Sequence, residues 1–389
     1  MKTNLNSRQR LLRAIGGQEL DYIPCSFMSF AILRQRKNED WYAVAVEEKA
    51  MGLDPMLFIP TAPRSSRREH PDLRGLPVRW GEAVKTRQWK DGELLHRVYA
   101  TPAGRLTTRV RLSADWPHGD HIPFVDDYQV PRAEKPLVTG PEDLPALAYL
   151  LTPPNPQDIS AFRQEAATAR QFAEHEGILL AGGWGVGLDM ANWLCGMHDL
   201  MMLAIDQPAF VAELLEMIHQ WNLARMKAVL SAPLDLYIRR AWYEGCDFIT
   251  PRFFRQYVLP RIQREAALAH EHGAKFGYIC SSGTRPMLEM YAETGIDVLL
   301  GVDPIQGTHT DMPLMKEKLS GKVCLWGGVS AAVTVERGTE EDVRQAVQLA
   351  IATLGRERFI LAPIDNLTVD EPRTWKNIQV FIKEWQKCR

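Results

Sequence analysis

From Ile178 onward the chain alternates between two textures. A short run of apolar, often β-branched residues gives way to a turn, then to a stretch whose apolar positions recur at helical spacing, then to a glycine and the next run. That alternation predicts parallel strands joined by helices. The runs are ILLAGG (178–183), LDLYIRRA (234–241), AKFGYIC (274–280), DVLLGVD (297–303), KVCLWGG (322–328) and RFILAP (358–363); two earlier ones, IPCSF and PMLFIP, make eight. Helix ends carry recognisable markers: Thr250-Pro251 as N-cap and first helical residue, Gly273 as a C-terminal stop, Thr339 with Asp342 as a capping-box start. After Thr339, the residues Val343, Ala346, Val347, Ala350, Ile351 and Leu354 fall on one helical face, which is core.

Eight strand-helix units favour a closed (β/α)8 barrel over an open doubly wound sheet, so the α/β chain is expected to form a single TIM-type barrel domain over 1–389. Residues from about 78 to 135 interrupt the pattern. There WKDGELLHRVYATPAGRLTTRVRL places turns at Asp91-Gly92 and Pro102-Ala103-Gly104 between alternating runs, which predicts an inserted β-hairpin followed by the loop DWPHGDHIPFVDDY. The proline-rich LTPPNPQD (151–158) reads as a junction inside the same domain.

Composition narrows the function classes. Basic and acidic residues number 46 and 48, for a net charge of -2, and no Lys/Arg block marks a nucleic-acid footprint. The first residues lack the apolar core of a signal peptide, and no segment approaches a membrane span, so a cytoplasmic protein is expected. Six scattered cysteines without a CxxC fit reduced thiols.

In a parallel barrel the functional face lies at the C-terminal strand ends. The runs deliver Trp184 there, then Trp242, Tyr243, Glu244, Cys246 and Asp247, then Tyr278 and Cys280, then Asp303, then Trp326, and finally Asp365 and Asn366. Together they imply an apolar, aromatic-walled pocket with a few carboxylates and one thiol. Plainer readings compete: Asp303 before Pro304 could only shape a turn, Cys280 could be a small buried hydrophobe, and Trp242 and Trp326 could be core. Glu244 is harder to dismiss, because a carboxylate after an apolar strand must find solvent, a cation or a proton, and the last makes a general acid. GGWGVG (182–187) completes no GxGxxG fingerprint and reads as close backbone packing. His118 and His121 flank Gly119-Asp120, where a surface role competes with a lid or metal role. Nucleophile elbow, HExxH and Walker patterns are absent.

The segment from about Thr250 resembles the uroporphyrinogen decarboxylase superfamily in the order and spacing of TPRFFRQYVLPRIQ, GIDVLLGVDP, KVCLWGGVSAAVTVERGTEEDV and RFILAP, and SRQRLLRAIGGQELDYIP is similar to its N-terminal signature. The resemblance implies a (β/α)8 barrel. Porphyrinogen decarboxylases carry an RQAGRY-type loop after the first strand; here SFMSFAILRQRKNEDW lacks it, which disfavours that reaction. The superfamily's other branch holds corrinoid-linked methyltransferases, whose zinc-bearing members use His-x-Cys and a later cysteine in an APGC-like stretch. Here Cys280 matches, Tyr278 stands at the histidine position and Asp365 at the second cysteine position. Replacing soft ligands with oxygen groups weakens the case for a thiol substrate.

The resemblance therefore implies an O-demethylase-like methyltransferase that moves a methyl group from a small donor, a methoxylated aromatic, to a corrinoid (cobalamin) on a partner protein, since the chain has no DxHxxG pattern of its own. Glu244, Tyr278 and Asp365 are the expected catalytic groups. Trp184, Trp242, Tyr243, Asp303, Trp326, Asn366, His118 and His121 are the expected substrate contacts. Cys280, Glu244 and Asp365 would hold zinc if a metal is used, and a homodimer is left open. The rivals are a decarboxylase using Arg34, Arg36, Arg239 and Arg240, and a non-catalytic ligand-binding barrel.

Overall fold

The computed structural model describes residues 4–59, 68–70, 76–307 and 310–388. Its strands, numbered in chain order, are β1 (Met56–Ile59), β2 (Lys85–Asp91), β3 (Leu94–Thr101), β4 (Gly104–Arg111), β5 (Ala133–Lys135) and β6 (Leu179–Gly185). Then follow β7 (Leu236–Arg240), β8 (Lys275–Ile279), β9 (Val298–Val302), β10 (Cys324–Ser330) and β11 (Phe359–Ile364). The described parts of Met1–Ile59, Ala166–Gly182 and Pro233–Arg389 form one compact unit, and those of Pro60–Glu165 and Gly183–Ala232 the other.

A seven-stranded parallel sheet runs in the order β1-β6-β7-β8-β9-β10-β11, a TIM-like α/β arrangement. Parallel neighbours need crossovers, and here helices Pro208–Leu230, Leu259–Glu271, Leu288–Glu293, Met312–Leu319 and Glu340–Leu354 supply them in turn. The expected markers hold. Thr250 Oγ1 accepts from the Phe253 N–H with Pro251 at the first helical position, Gly273 has φ 76, and Thr339 and Asp342 cap each other reciprocally. Val343, Val347, Ala350 and Leu354 form the buried stripe of the last crossover helix.

One expected strand is weaker than its apolar run suggests. IPCSF makes a single parallel bridge, Cys25 to Leu361, with the Ser26 N–H donating to the Leu361 carbonyl and the Leu361 N–H to that of Pro24. Pro24 has no N–H to give, so the ladder stops there. On its other side the Cys25 carbonyl accepts from the Asp54 N–H, just ahead of β1.

In the second unit the expected hairpin is present and extends further, into a four-stranded antiparallel sheet in the order β2-β3-β4-β5. Its turns fall at Gly92 and Gly104, whose φ values of 58 and 136 need glycine. The loop after β4 is tied down both within itself and by Glu69 and Arg97 outside it. His118 Nε2 lies 2.8 Å from Asp126 Oδ2, and its ring meets Trp116 and Tyr128 edge-on. His121 lies 3.5 Å from Glu69 Oε1, beside Arg97, which grips that carboxylate at 2.7 and 3.0 Å. Among the described residues no helix is long and apolar enough to cross a membrane.

Burial pushes the His121 imidazole down to about 4, so it is neutral at pH 7. The unfolded imidazole titrates near 6.5, so between pH 6.5 and 4 the unfolded state binds more protons and stability falls on acidification. Discounted for partial solvent screening, this amounts to about 1 kcal/mol. Urea unfolding near pH 7 and near pH 5 should therefore show a smaller acid-induced loss for His121→Gln than for the parent chain. An equal loss in both would contradict a desolvated His121.

Candidate functional site

The loops after β7 and β8 lock together at close range. A Cβ on Gly245 would fall 1.9 Å from the Ser282 carbonyl oxygen, and one on Gly283, at φ 59, would fall 2.4 Å from the backbone nitrogens of Cys246 and Asp247. Only glycine permits that approach, and the Cys246 N–H uses it to donate to the Gly283 carbonyl at 3.0 Å. Glu244 is thereby fixed directly beside the end of β8.

Arg239 on β7 is paired in register with Tyr278 on β8, so the two side chains share a face of the sheet. The guanidinium donates Nη1 to Glu244 Oε2 and Nη2 to Glu244 Oε1, both at 2.7 Å. Its Nε lies 2.9 Å from Glu265 Oε2 on helix Leu259–Glu271, an ion pair whose N–H is not aimed at the oxygen. The Tyr278 hydroxyl donates to Glu244 Oε2 at 2.5 Å. Beyond it the Tyr291 hydroxyl, from helix Leu288–Glu293, donates to Cys280 Sγ at 3.4 Å. Arg239, Glu244, Glu265, Tyr278, Cys280 and Tyr291 are all buried.

Burial alone would strip the Arg239 proton, but the Glu244 and Glu265 charges outweigh it and hold the guanidinium well above its usual range. Burial, then the Glu244 charge, pushes the Tyr278 phenol well up, and burial with Cys280 does the same for Tyr291. Both phenols therefore keep their protons and donate them, to Glu244 and Cys280 respectively. Breaking such a buried ion pair by removing one partner costs about 3–5 kcal/mol, because the other charge is stranded.

Of the residues singled out from the sequence, Glu244, Tyr278 and Cys280 come together in this network, on the face that meets the helices. Trp242 and Tyr243 are half-buried in the loop beside it, with the Tyr243 ring edge-on to Phe248 at 5.3 Å. Asp303 is fully buried after β9. Its Oδ1 accepts from the N–H groups of Ile305 and Gln306 at 2.8 and 2.9 Å, while Oδ2 has no hydrogen-bond partner among the described residues. Burial raises its carboxyl against the pull of those two N–H groups and of the Ser330 hydroxyl. Trp326 is fully buried, and its indole N–H donates to the Ser26 carbonyl at 2.8 Å. Asp365 and Asn366 lie half-buried beyond β11. Trp184, His118 and His121 belong to the second unit.

The residues expected to hold zinc, if a metal is used, form no ready-made site. Among the described residues no group of three or more His, Cys, Asp or Glu side chains is arranged to hold a metal, Cys280, Glu244 and Asp365 included. Both Glu244 oxygens are already taken by Arg239 and Tyr278, so the donor set does not fit zinc. Sequence reasoning also missed Glu265 and Tyr291. Glu265 stands one turn after Ile262 and one before Ala269, inside the apolar stripe of its helix. A carboxylate at a core position was the signal for a buried cation across from it.

The sequence profile of the uroporphyrinogen decarboxylase (URO-D) family matches residues 118–387, well over half of the chain. No curated protein matches the sequence. Among solved structures, a methyltransferase from Methanosarcina mazei is similar in fold at 16% identity, covering 99% of each chain with a TM-score of 0.61. A B12-independent methionine synthase from a Shewanella species overlaps 58% of this chain and 65% of its own at 11% identity and a TM-score of 0.43, too weak a likeness to bear on the fold. By its matched span and its parallel α/β architecture, the chain belongs to the uroporphyrinogen decarboxylase family.

Proposed function

We propose that the protein is a methyltransferase that moves a methyl group from a small methoxylated aromatic to the cobalt of a corrinoid carried by a partner protein. In this reading the parallel sheet is a closed (β/α)8 barrel with residues 24–26 as its first strand, and the chemistry sits at the C-terminal strand ends.

The state of the arginines carries the choice. A decarboxylase of polycarboxylated substrates needs guanidinium groups free to take carboxylates. Arg239 is spent on Glu244 and Glu265, Arg36 grips Asp370 at 2.6 and 3.0 Å, and Arg34 lies 3.4 Å from Glu39. A carboxylate brought to Arg239 would find that guanidinium already neutralised, which makes burying it there costly. A substrate whose reacting end is neutral suits this environment. The fold shared with the Methanosarcina mazei methyltransferase is in keeping with that reading.

Cleaving an aryl methyl ether leaves the bonding pair on the phenolate oxygen, which needs a proton as the methyl group departs. Glu244 accepts from Arg239 and Tyr278 on both oxygens, so its role, and that of Tyr278, is to hold the loop that presents Trp242 and Tyr243 as ring walls. Asp303 has one oxygen outside the turn cap, near the Ser330 hydroxyl, and a raised affinity for its proton, which suits it as the proton donor, with Asp365 and Asn366 bordering the donor substrate. No step runs through zinc.

Incubation with reduced free cobalamin and a panel of aromatic donors, read by cobalamin absorbance, should show methylation from methoxyphenols about tenfold faster than from methoxybenzoates. Carbon dioxide release from a carboxylated substrate, with no methylation from any donor, would overturn the proposal. Asp303→Asn keeps the oxygen that caps the turn and should lower kcat by about 10²–10⁴-fold. Since the protonated form is the active one, the parent rate should fall as pH rises through the raised Asp303 value. That alkaline limb should vanish in the variant; an unchanged limb would exclude Asp303.

A further inference from the structure

Two grooves of about 470 and 480 Å³ meet at Pro286 and Glu289 on the first compact unit. Their apolar lining comes from Pro251, Pro286, Leu288, Met290 and Leu314. Four cations stand around it, Arg252, Arg255, Arg285 and Lys318, against the single carboxylate of Glu289. That sign is opposite to the chain as a whole, whose formal net charge is -2.

Two of the cations have carboxylate partners: Arg255 meets Glu293 at 3.1 and 3.4 Å, and Lys318 lies 3.7 Å from Glu317 and 3.9 Å from Glu289. Arg252 and Arg285 are exposed and have no ion-pair or hydrogen-bond partner among the described residues. Both sit in the first turn of a helical segment, Arg252 just after the Thr250 cap and Arg285 opening the turn Arg285–Met287. Positive charge at a helix start runs against the helix dipole. Two such residues flanking one apolar groove are badly placed for the isolated chain and well placed for an anionic visitor.

We infer that this groove docks a partner protein through a segment that presents carboxylates on either side of an apolar side chain. The apolar lining selects a peptide-like segment over a bare anion, and the free guanidiniums select acid over base. The inference is independent of the reaction proposed above, because it uses only the shape and charge of this surface.

The test uses the full chain and a fluorescein-labelled peptide of alternating Glu and Leu, followed by anisotropy at low and high salt. Binding should weaken with salt, fall about tenfold in R252E/R285E, and stay unchanged in R87E/K90E on the exposed strand β2. Circular dichroism and the thermal midpoint verify folding; if the reversal variant does not fold, R252Q/R285Q replaces it, with a smaller loss expected. Equal affinity in parent and variant would overturn the inference. So would an equal loss in R87E/K90E, displacement of the peptide by millimolar inorganic phosphate, or a sedimentation-detected dimer of the parent that the variant abolishes.

Discussion

A guanidinium with 2% exposure, held between two carboxylates, is the constraint around which this part of the molecule is organised. Arg239 cannot be left unpaired inside the protein, so Glu244 must return from the loop after β7 and Glu265 must face inward from its helix. That requirement brings the loop close to β8, and Gly245 and Gly283 are the residues that let the backbones pass. Tyr278 then finds its acceptor on Glu244, and Tyr291 finds the Cys280 thiol. The cluster is a fastening between sheet and helices, with its hydrogen bonds directed inward.

The fastening redistributes chemical roles. A carboxylate gripped at both oxygens cannot readily trade a proton with a substrate, which is why the proposed reaction gives Glu244 a supporting role and passes the proton from Asp303. Arg239, one of the arginines a decarboxylase would aim at its substrate, is turned to internal use. Both consequences come from the same physics: a buried charge spends its bonding capacity on whatever neutralises it.

Much of the fold was legible because strand and helix periodicities are local. Seven of the eight apolar runs are strands in the sheet, and Thr250, Gly273 and Thr339 stop and start helices where their chemistry says they should. IPCSF fell short because apolarity cannot reveal that a ladder ends at a proline. The hairpin turns at Gly92 and Gly104 were readable; the fourth strand, β5, was not, since three residues carry no period. At the site, the order of strand ends was enough to bring Glu244, Tyr278 and Cys280 together. What each side chain would touch was not, because a partner such as Glu265 lies on a different element and only a buried carboxylate in an apolar stripe hints at it. The conditional metal set shares that blind spot: residue types at family positions say nothing of an arginine that reaches one of them first.

The most direct test of this account is a double-mutant cycle on unfolding free energy with Arg239→Met and Glu244→Leu. Each single change strands a buried charge and should cost about 3–5 kcal/mol, whereas the double variant should cost less than the sum by at least about 1.5 kcal/mol. Strictly additive losses would mean that the two side chains do not depend on each other, and the organising role assigned to Arg239 would be wrong.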